Sequence, residues 1–459
     1  MWTDKPHQGE TIDTLLGDQT RFEVFDPLQS LEKEPPGTGT QTSATVSEQG
    51  SSISGNTGGN NFGTLRTAIP YRLTGDLAAP PPAVGNTSRY QRRASTILLH
   101  GLPPKALCDR LLGFFIKGYH PIAPVVHVPT FKAEYESLWK SRPDDPAETQ
   151  GTSHFICLLL AVLFAGAVVC PNIELLRGLL PEPTRSREEW EKSLHEMASK
   201  ALRQSSFPRT PSLETFTAYM LIQVTWMRVE EPLTTCAFIG LAYRVAQMLG
   251  LHRDPSHFSS LQPTVAEVRR RVWWLLIHID IAVGIAAGLP PMIDFSSCDV
   301  RQPSELKEEL IGTRVGLEYE TQLRQSGGRI DLSGSESMFS TCSILLAGKY
   351  RVAAVTKEML SLIYGQKAIA HQDLIRMRAR FRAVSDELKA RINRIPCTPR
   401  RTSSDFLYHS RAAQESGDSH LDSWARLYMS LLTDRSWILA CHPVLKKPVA
   451  EIWRDIEHE

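Results

Sequence analysis

The strongest constraint on this chain is residues 235–300, where two apolar-periodic segments flank a Gly-Leu-His-Arg-Asp-Pro turn. In the first, Phe238, Leu241, Ala242, Val245 and Leu249 recur every three or four residues, which makes one face of a helix. Gly250 follows, placed to take the left-handed conformation that closes a helix, with Leu251 as the apolar residue that packs back on it. Pro255 prevents an immediate restart. The second segment carries Val265, Val268, Val272, Leu276, Ile279 and Val283 along one stripe. Thr264 stands three residues before Glu267, the spacing of a capping box, and predicts the helix start. Arg269, Arg270 and Arg271 wrap its N-terminal half, a pattern expected to make structural pairs with acids on neighbouring helices. Trp273 and Trp274 are adjacent and point about a quarter-turn apart, so they need separate pockets, and at least one should anchor the helix in a core. Asp280 lies beside the stripe, where a carboxylate needs a partner. Arg244 and Arg253 are the expected ones.

The order of these residues carries a family likeness. A helix ending in GLHRD, then E-V-R-R-R-V-W-W, then Asp280 seven residues after Trp273, and finally Gly288 and Pro290, resembles the fungal-specific transcription factor domain. That domain is the middle homology region of fungal binuclear-zinc-cluster regulators. The motif falls on Arg253, Asp254, Glu267, Arg270, Arg271, Trp273, Trp274, Asp280, Gly288 and Pro290. The resemblance implies a nuclear transcriptional regulator in which these residues have structural or regulatory roles. It also implies control by a small-molecule effector or by homo- or heterodimer partners. The His-Pro, Pro, His, Phe layout of 120–131 and the Cys-His-Pro at 441–443 are similar to the two ends of the domain, so the likeness extends over about residues 100–445.

One part of the family pattern is missing. The chain has eight cysteines, yet no C-x-x-C, and the closest pair, Cys157 and Cys170, lies 13 positions apart. Tetrahedral zinc sites need closely spaced ligand pairs. No metal or other cofactor is therefore expected here. DNA contact is expected only through a partner or through a zinc cluster missing from this chain. A net charge of +1 argues the same way, since the chain as a whole is no generic polyanion binder. His120 and His127 lack a third ligand nearby and read as packing residues. No G-x-S-x-G, Walker A, dinucleotide glycine fingerprint or H-E-x-x-H occurs, so no enzyme is expected.

The rest of the chain supports an all-α fold: a large array of packed amphipathic helices with a disordered N-terminal tail. Three regions are expected, an acidic then Gly/Ser/Pro-rich tail over 1–95, a helical regulatory domain over 96–445, and a short C-terminal tail over 446–459. Residues 1–60 hold nine acids and three bases, with Leu15, Leu16, Phe22 and Phe25 among them. Apolar residues held among like charges stay exposed, a composition suited to recruiting transcriptional machinery. Residues 155–170 form an uncharged run of sixteen, short of the about 20 residues that cross a bilayer, and read as an all-round buried helix with no membrane partner. Further helical stripes run through Trp190 to Ala201, Leu213 to Met227, Ile344 to Tyr364 and Leu374 to Ile395. Arg376, Arg378, Arg380 and Arg382 make the last of these the most basic surface, read as a solvated helix face. Leu421, Trp424, Leu427, Tyr428 and Leu431 begin a final helix. Residues 301–337 lose all periodicity and read as a surface insertion.

Overall fold

The longest internal apolar run becomes a central helix. The computed structural model describes residues 102–140, 149–171, 176, 186–226, 232–258, 260–325, 338–365, 369–396 and 417–445, all within one unit spanning 71–459. The expected tails over 1–95 and 446–459 lie outside these residues. Among the described residues there are eleven α-helices and no strand. A single antiparallel bridge pairs Leu306 with Phe339.

The helices are α1 Lys105–Phe114, α2 Val128–Lys140, α3 Thr149–Val168, α4 Arg187–Gln204, α5 Leu213–Trp226 and α6 Pro232–Met248. After the turn come α7 Pro263–Ala287, α8 Arg314–Gln325, α9 Thr341–Ile363, α10 His371–Arg394 and α11 Gly417–Leu445. In α3, residues 155–165 are buried on every side. The helix packs against α1, α4 and α5, and its lack of a polar face is what burial all round requires. Among the described residues no helix is long and apolar enough to cross a membrane.

At the other end, α9, α10 and α11 pack on one another around Val355, Phe381, Leu388 and Met429. Ser340 caps α9 reciprocally with Ser343, and Ser186 does the same for α4 with Glu189. Helix α7 lies between the two groups. It packs on α6 and α5 on one side and on α9 on the other. Its residues from Arg271 to Leu276 are all buried.

Three expectations are corrected. The capping box at Thr264 does not form. Pro263 occupies the first turn, its ring pre-setting the helical φ, and Gln262 is the N-cap without a side-chain bond. Glu267 is thereby free to turn inward. Residues 301–325 are not a surface insertion, since Leu306, Ile311 and Tyr319 enter the core of the α9–α11 group. On α11, Trp424, Leu427 and Leu431 are exposed, and Ala425 and Met429 make the packed face instead.

Candidate functional site

The joint between α6 and α7 is built by its sequence in a chain of local choices. Gly250 has φ +67°, and the bonds that follow close α6 as a Schellman motif: Leu251 N–H donates to Ala246 O at 2.9 Å and Gly250 N–H to Gln247 O at 3.0 Å. Leu251 is buried as that motif's apolar contact. Arg269 of α7 then donates through Nη2 to the free Leu249 carbonyl at 2.8 Å, with its guanidinium over the Phe258 ring. A cation there also complements the negative end of the α6 dipole.

Asp254 is the next link. It caps the short 3-10 turn Pro255–His257, accepting from Ser256 N–H at 3.0 Å. Arg270 of α7 forks onto it, Nε to Oδ2 and Nη2 to Oδ1, both at 3.1 Å. Arg301 adds its backbone N–H at 2.9 Å and its Nη2 at 3.0 Å. Burial alone would raise this carboxyl, but the donors from Arg270, Arg301 and Ser256 outweigh it and hold the group well below the usual carboxylate range. Arg253 points elsewhere, to Asp299 at 3.2 Å, a pair that is largely solvent-accessible and that His257 shares.

A second knot lies beside the first on α7, on Glu267 and Arg271. Glu267 is 1% exposed. It accepts from Arg271 Nε at 2.9 Å and from Ser304 N–H at 3.1 Å. Arg271 also donates through Nη1 to Glu308 at 2.5 Å and to the Val126 carbonyl at 3.2 Å. Glu308 in turn accepts from Val128 N–H at 3.1 Å, and its own carbonyl meets His127 Nε2 at 2.9 Å. Burial opposes the Arg271 charge, and the two carboxylates overcome that and keep its pKa above the ordinary value. Glu308 shifts the opposite way. Burial pushes it up, Arg271 pulls it down, and it ends below its ordinary value. The knot joins three stretches far apart in sequence: 126–128, α7 and 304–308.

Both indoles are buried, in separate pockets as their angular offset requires. Trp273 is fully enclosed and sits against Tyr243 of α6 and His252 of the turn, at ring-centroid distances of 6.2 and 6.5 Å. Trp274 faces the other way, against Tyr350 of α9, and donates through Nε1 to the Arg301 carbonyl at 2.9 Å.

Asp280 corrects an expectation. Neither Arg244 nor Arg253 reaches it. Its two oxygens accept from the backbone N–H groups of Met292 and Ile293, each at 2.9 Å. Arg244 is exposed and bonds Gln247. The chain returns to Asp280 because Gly288 has φ +66° and both Gly288 N–H and Leu289 N–H bond back to Gly284 O, the latter at 3.0 Å, a left-handed glycine closure. Pro290 lies exposed in the loop between that closure and Asp280's donors.

Of the ten motif positions, Asp254, Glu267, Arg270 and Arg271 thus come together with Trp274 around the 299–308 segment. Trp273 faces the α6 side, Asp280, Gly288 and Pro290 form a separate clasp at the far end of α7, and Arg253 stands at the rim. Arg301, Ser304 and Glu308 were invisible to sequence reasoning. Two of them act partly through backbone N–H groups, which any residue supplies, and their carboxylate and guanidinium partners Asp254, Glu267 and Arg271 lie 37 or more positions away. Among the described residues no group of three His, Cys, Asp or Glu side chains converges as a metal site, and His120 and His127 bond Val126 O, Thr130 and Glu308 O.

Comparisons with known proteins identify the family. The family model described as "Fungal specific transcription factor domain" matches residues 112–392, more than half of the chain. Among curated relatives, transcription factor yanR of Aspergillus niger is 27% identical over 312 residues, 65% of this chain and 36% of its own length. Transcription factor macR of Penicillium terrestre is 32% identical, covering 42% of this chain and 23% of its own length. The Zn(2)-C6 fungal-type transcription factor pigI of Monascus ruber is 32% identical over 215 residues, 46% of this chain and 25% of its own. The chain spans about a quarter to a third of the length of these relatives. No solved structure matches. The chain belongs to the fungal-specific transcription factor domain family.

Proposed function

We propose that this chain is the regulatory body of a nuclear transcriptional regulator that controls a specific gene set, such as a metabolic or biosynthetic pathway. The observation that carries the reading is the family match over 112–392, which takes in the whole ion network from Val126 to Glu308. The ten motif residues hold the helical body in one arrangement rather than perform chemistry, because each buried guanidinium and carboxylate among them is met by protein groups. The chain works without enzymatic activity. These 459 residues contain no C-x-x-C, so DNA contact comes through a zinc cluster outside them, carried by a partner or by sequence beyond these residues. The acidic stretch 1–60 recruits transcriptional machinery. A gel shift at low salt tests the DNA assignment: the purified chain alone retains no DNA, and retention appears when a zinc-cluster relative is added. Direct retention by this chain would overturn it.

A second reading is a scaffolding or effector-binding protein that restrains a related factor without joining it on DNA, and the family match over the helical body fits it as well. A supershift of the relative's DNA complex favours the first reading. Loss of that complex favours the second.

A further inference from the structure

We propose that the cleft between α2, α3, α5 and the first turns of α7 is a binding site for a small alkylammonium group, with Glu134 and Glu214 as its anionic wall. The cleft has a volume of about 100 Å³. Its apolar surface comes from Val125, Phe131, Leu158 and Val268. Two carboxylates, Glu134 on α2 and Glu214 on α5, line it, and no lysine or arginine does. Among the described residues neither carboxylate takes part in an ion pair. His154 lies near enough to sense the Glu214 charge, but burial lowers its pKa, so it leaves that charge uncompensated at neutral pH. Glu134 stands exposed at the mouth, and partial burial, with repulsion from Glu214 second, holds its pKa above the ordinary value.

Size and charge together choose the occupant. A cavity of about 150 Å³ accommodates benzene, so about 100 Å³ accepts four or five non-hydrogen atoms. An ammonium on a short branched alkyl arm fits both requirements, with the arm on the valine and phenylalanine surface and the nitrogen between the carboxylates. The open mouth leaves room for such an arm to belong to a larger amine.

The position of the cleft gives occupancy a consequence. Its wall includes Val126 and His127. The Val126 carbonyl accepts from Arg271, and His127 bonds the Glu308 carbonyl. A ligand here presses on the strand of chain through which α7 and the 304–308 segment are tied. This consequence rests on the regulatory reading above, whereas binding itself does not.

The test is titration of the full chain with isobutylammonium and with isobutanol, a neutral molecule of the same size, followed by ligand-observed NMR. The ammonium should bind in the millimolar range, on the order of tenfold more tightly than the alcohol. The E134Q/E214Q variant, which removes no ion pair seen here, should melt like the parent and bind the two molecules alike. Equal binding of both by the parent, no ammonium binding up to about 10 mM, or an undiminished preference in E134Q/E214Q would each overturn the proposal. None of these outcomes affects the gel-shift result, so the two readings fail separately.

Discussion

At the scale of single residues, the side chains with most at stake are charged ones placed where water cannot reach. Asp254 holds two arginines and two backbone N–H groups together, so Asp254→Asn should destabilise the chain by about 3 kcal/mol in urea unfolding, because it leaves Arg270 buried and underpaired. The same arrangement sets an acid limit. The folded-state pKa values of Asp254 and Glu308 are depressed, so their contribution is present above the unfolded carboxylate value of about 4 and is lost as pH falls below it. Asp254→Asn should therefore flatten the loss of stability between about pH 5 and pH 2.

Lys349 of α9 tests the opposite sign. It is 3% exposed, donates to the Ile122 carbonyl, and has no carboxylate within ion-pair range among the described residues. Its neighbour His278 is pushed down by burial and by the positive charges of Lys349 and Arg435, so it stays neutral and adds no repulsion. Burial lowers the Lys349 pKa to about 7, against about 10.4 in an unfolded chain. The folded state releases its proton first, so stability should rise with pH between about 7 and 10. Lys349→Met should remove that slope and stabilise the chain at pH 6 by about 1 kcal/mol. A slope unchanged in the variant would show that another group titrates.

At the scale of elements, the two glycine-closed helix ends decide how α6 and α7 meet the loops after them. Gly250 and Gly288 both take positive φ, which a Cβ disfavours. Alanine at either position should cost on the order of 1 kcal/mol, and Gly288→Ala should also slow the return of Met292 and Ile293 to Asp280. Trp273→Ala should cost about 3–5 kcal/mol, since the indole is fully enclosed between α6 and the turn.

These same elements mark what a sequence discloses. The apolar period of α6 and α7, the glycine after each, and the burial of α3 follow from local chemistry that leaves a regular trace. The partners of Asp280 and Glu267 do not, because a backbone N–H carries no residue identity. Pro263 displaced the capping box that Thr264 and Glu267 had suggested, and that displacement is what frees Glu267 for the interior. The 301–325 segment escaped notice because it enters the core through scattered residues such as Leu306 and Tyr319, not through a periodic face. On α11 a helical stripe alone does not say which side is covered, and there Trp424, Leu427 and Leu431 stayed outside.

At the scale of the molecule, α7 is the common support. One side carries the α1–α6 layer, the other carries α9 and its two partners, and the polar residues of its first half fix the 126–128 and 299–308 segments to it. The account therefore expects those distant stretches to loosen together when one arginine is removed. Hydrogen exchange of Arg271→Met tests this most directly. The account predicts that amides in 126–140 and in 304–310 lose protection along with those of α7, while α10 and α11 keep theirs. Loss confined to the turns of α7 next to position 271 would contradict it.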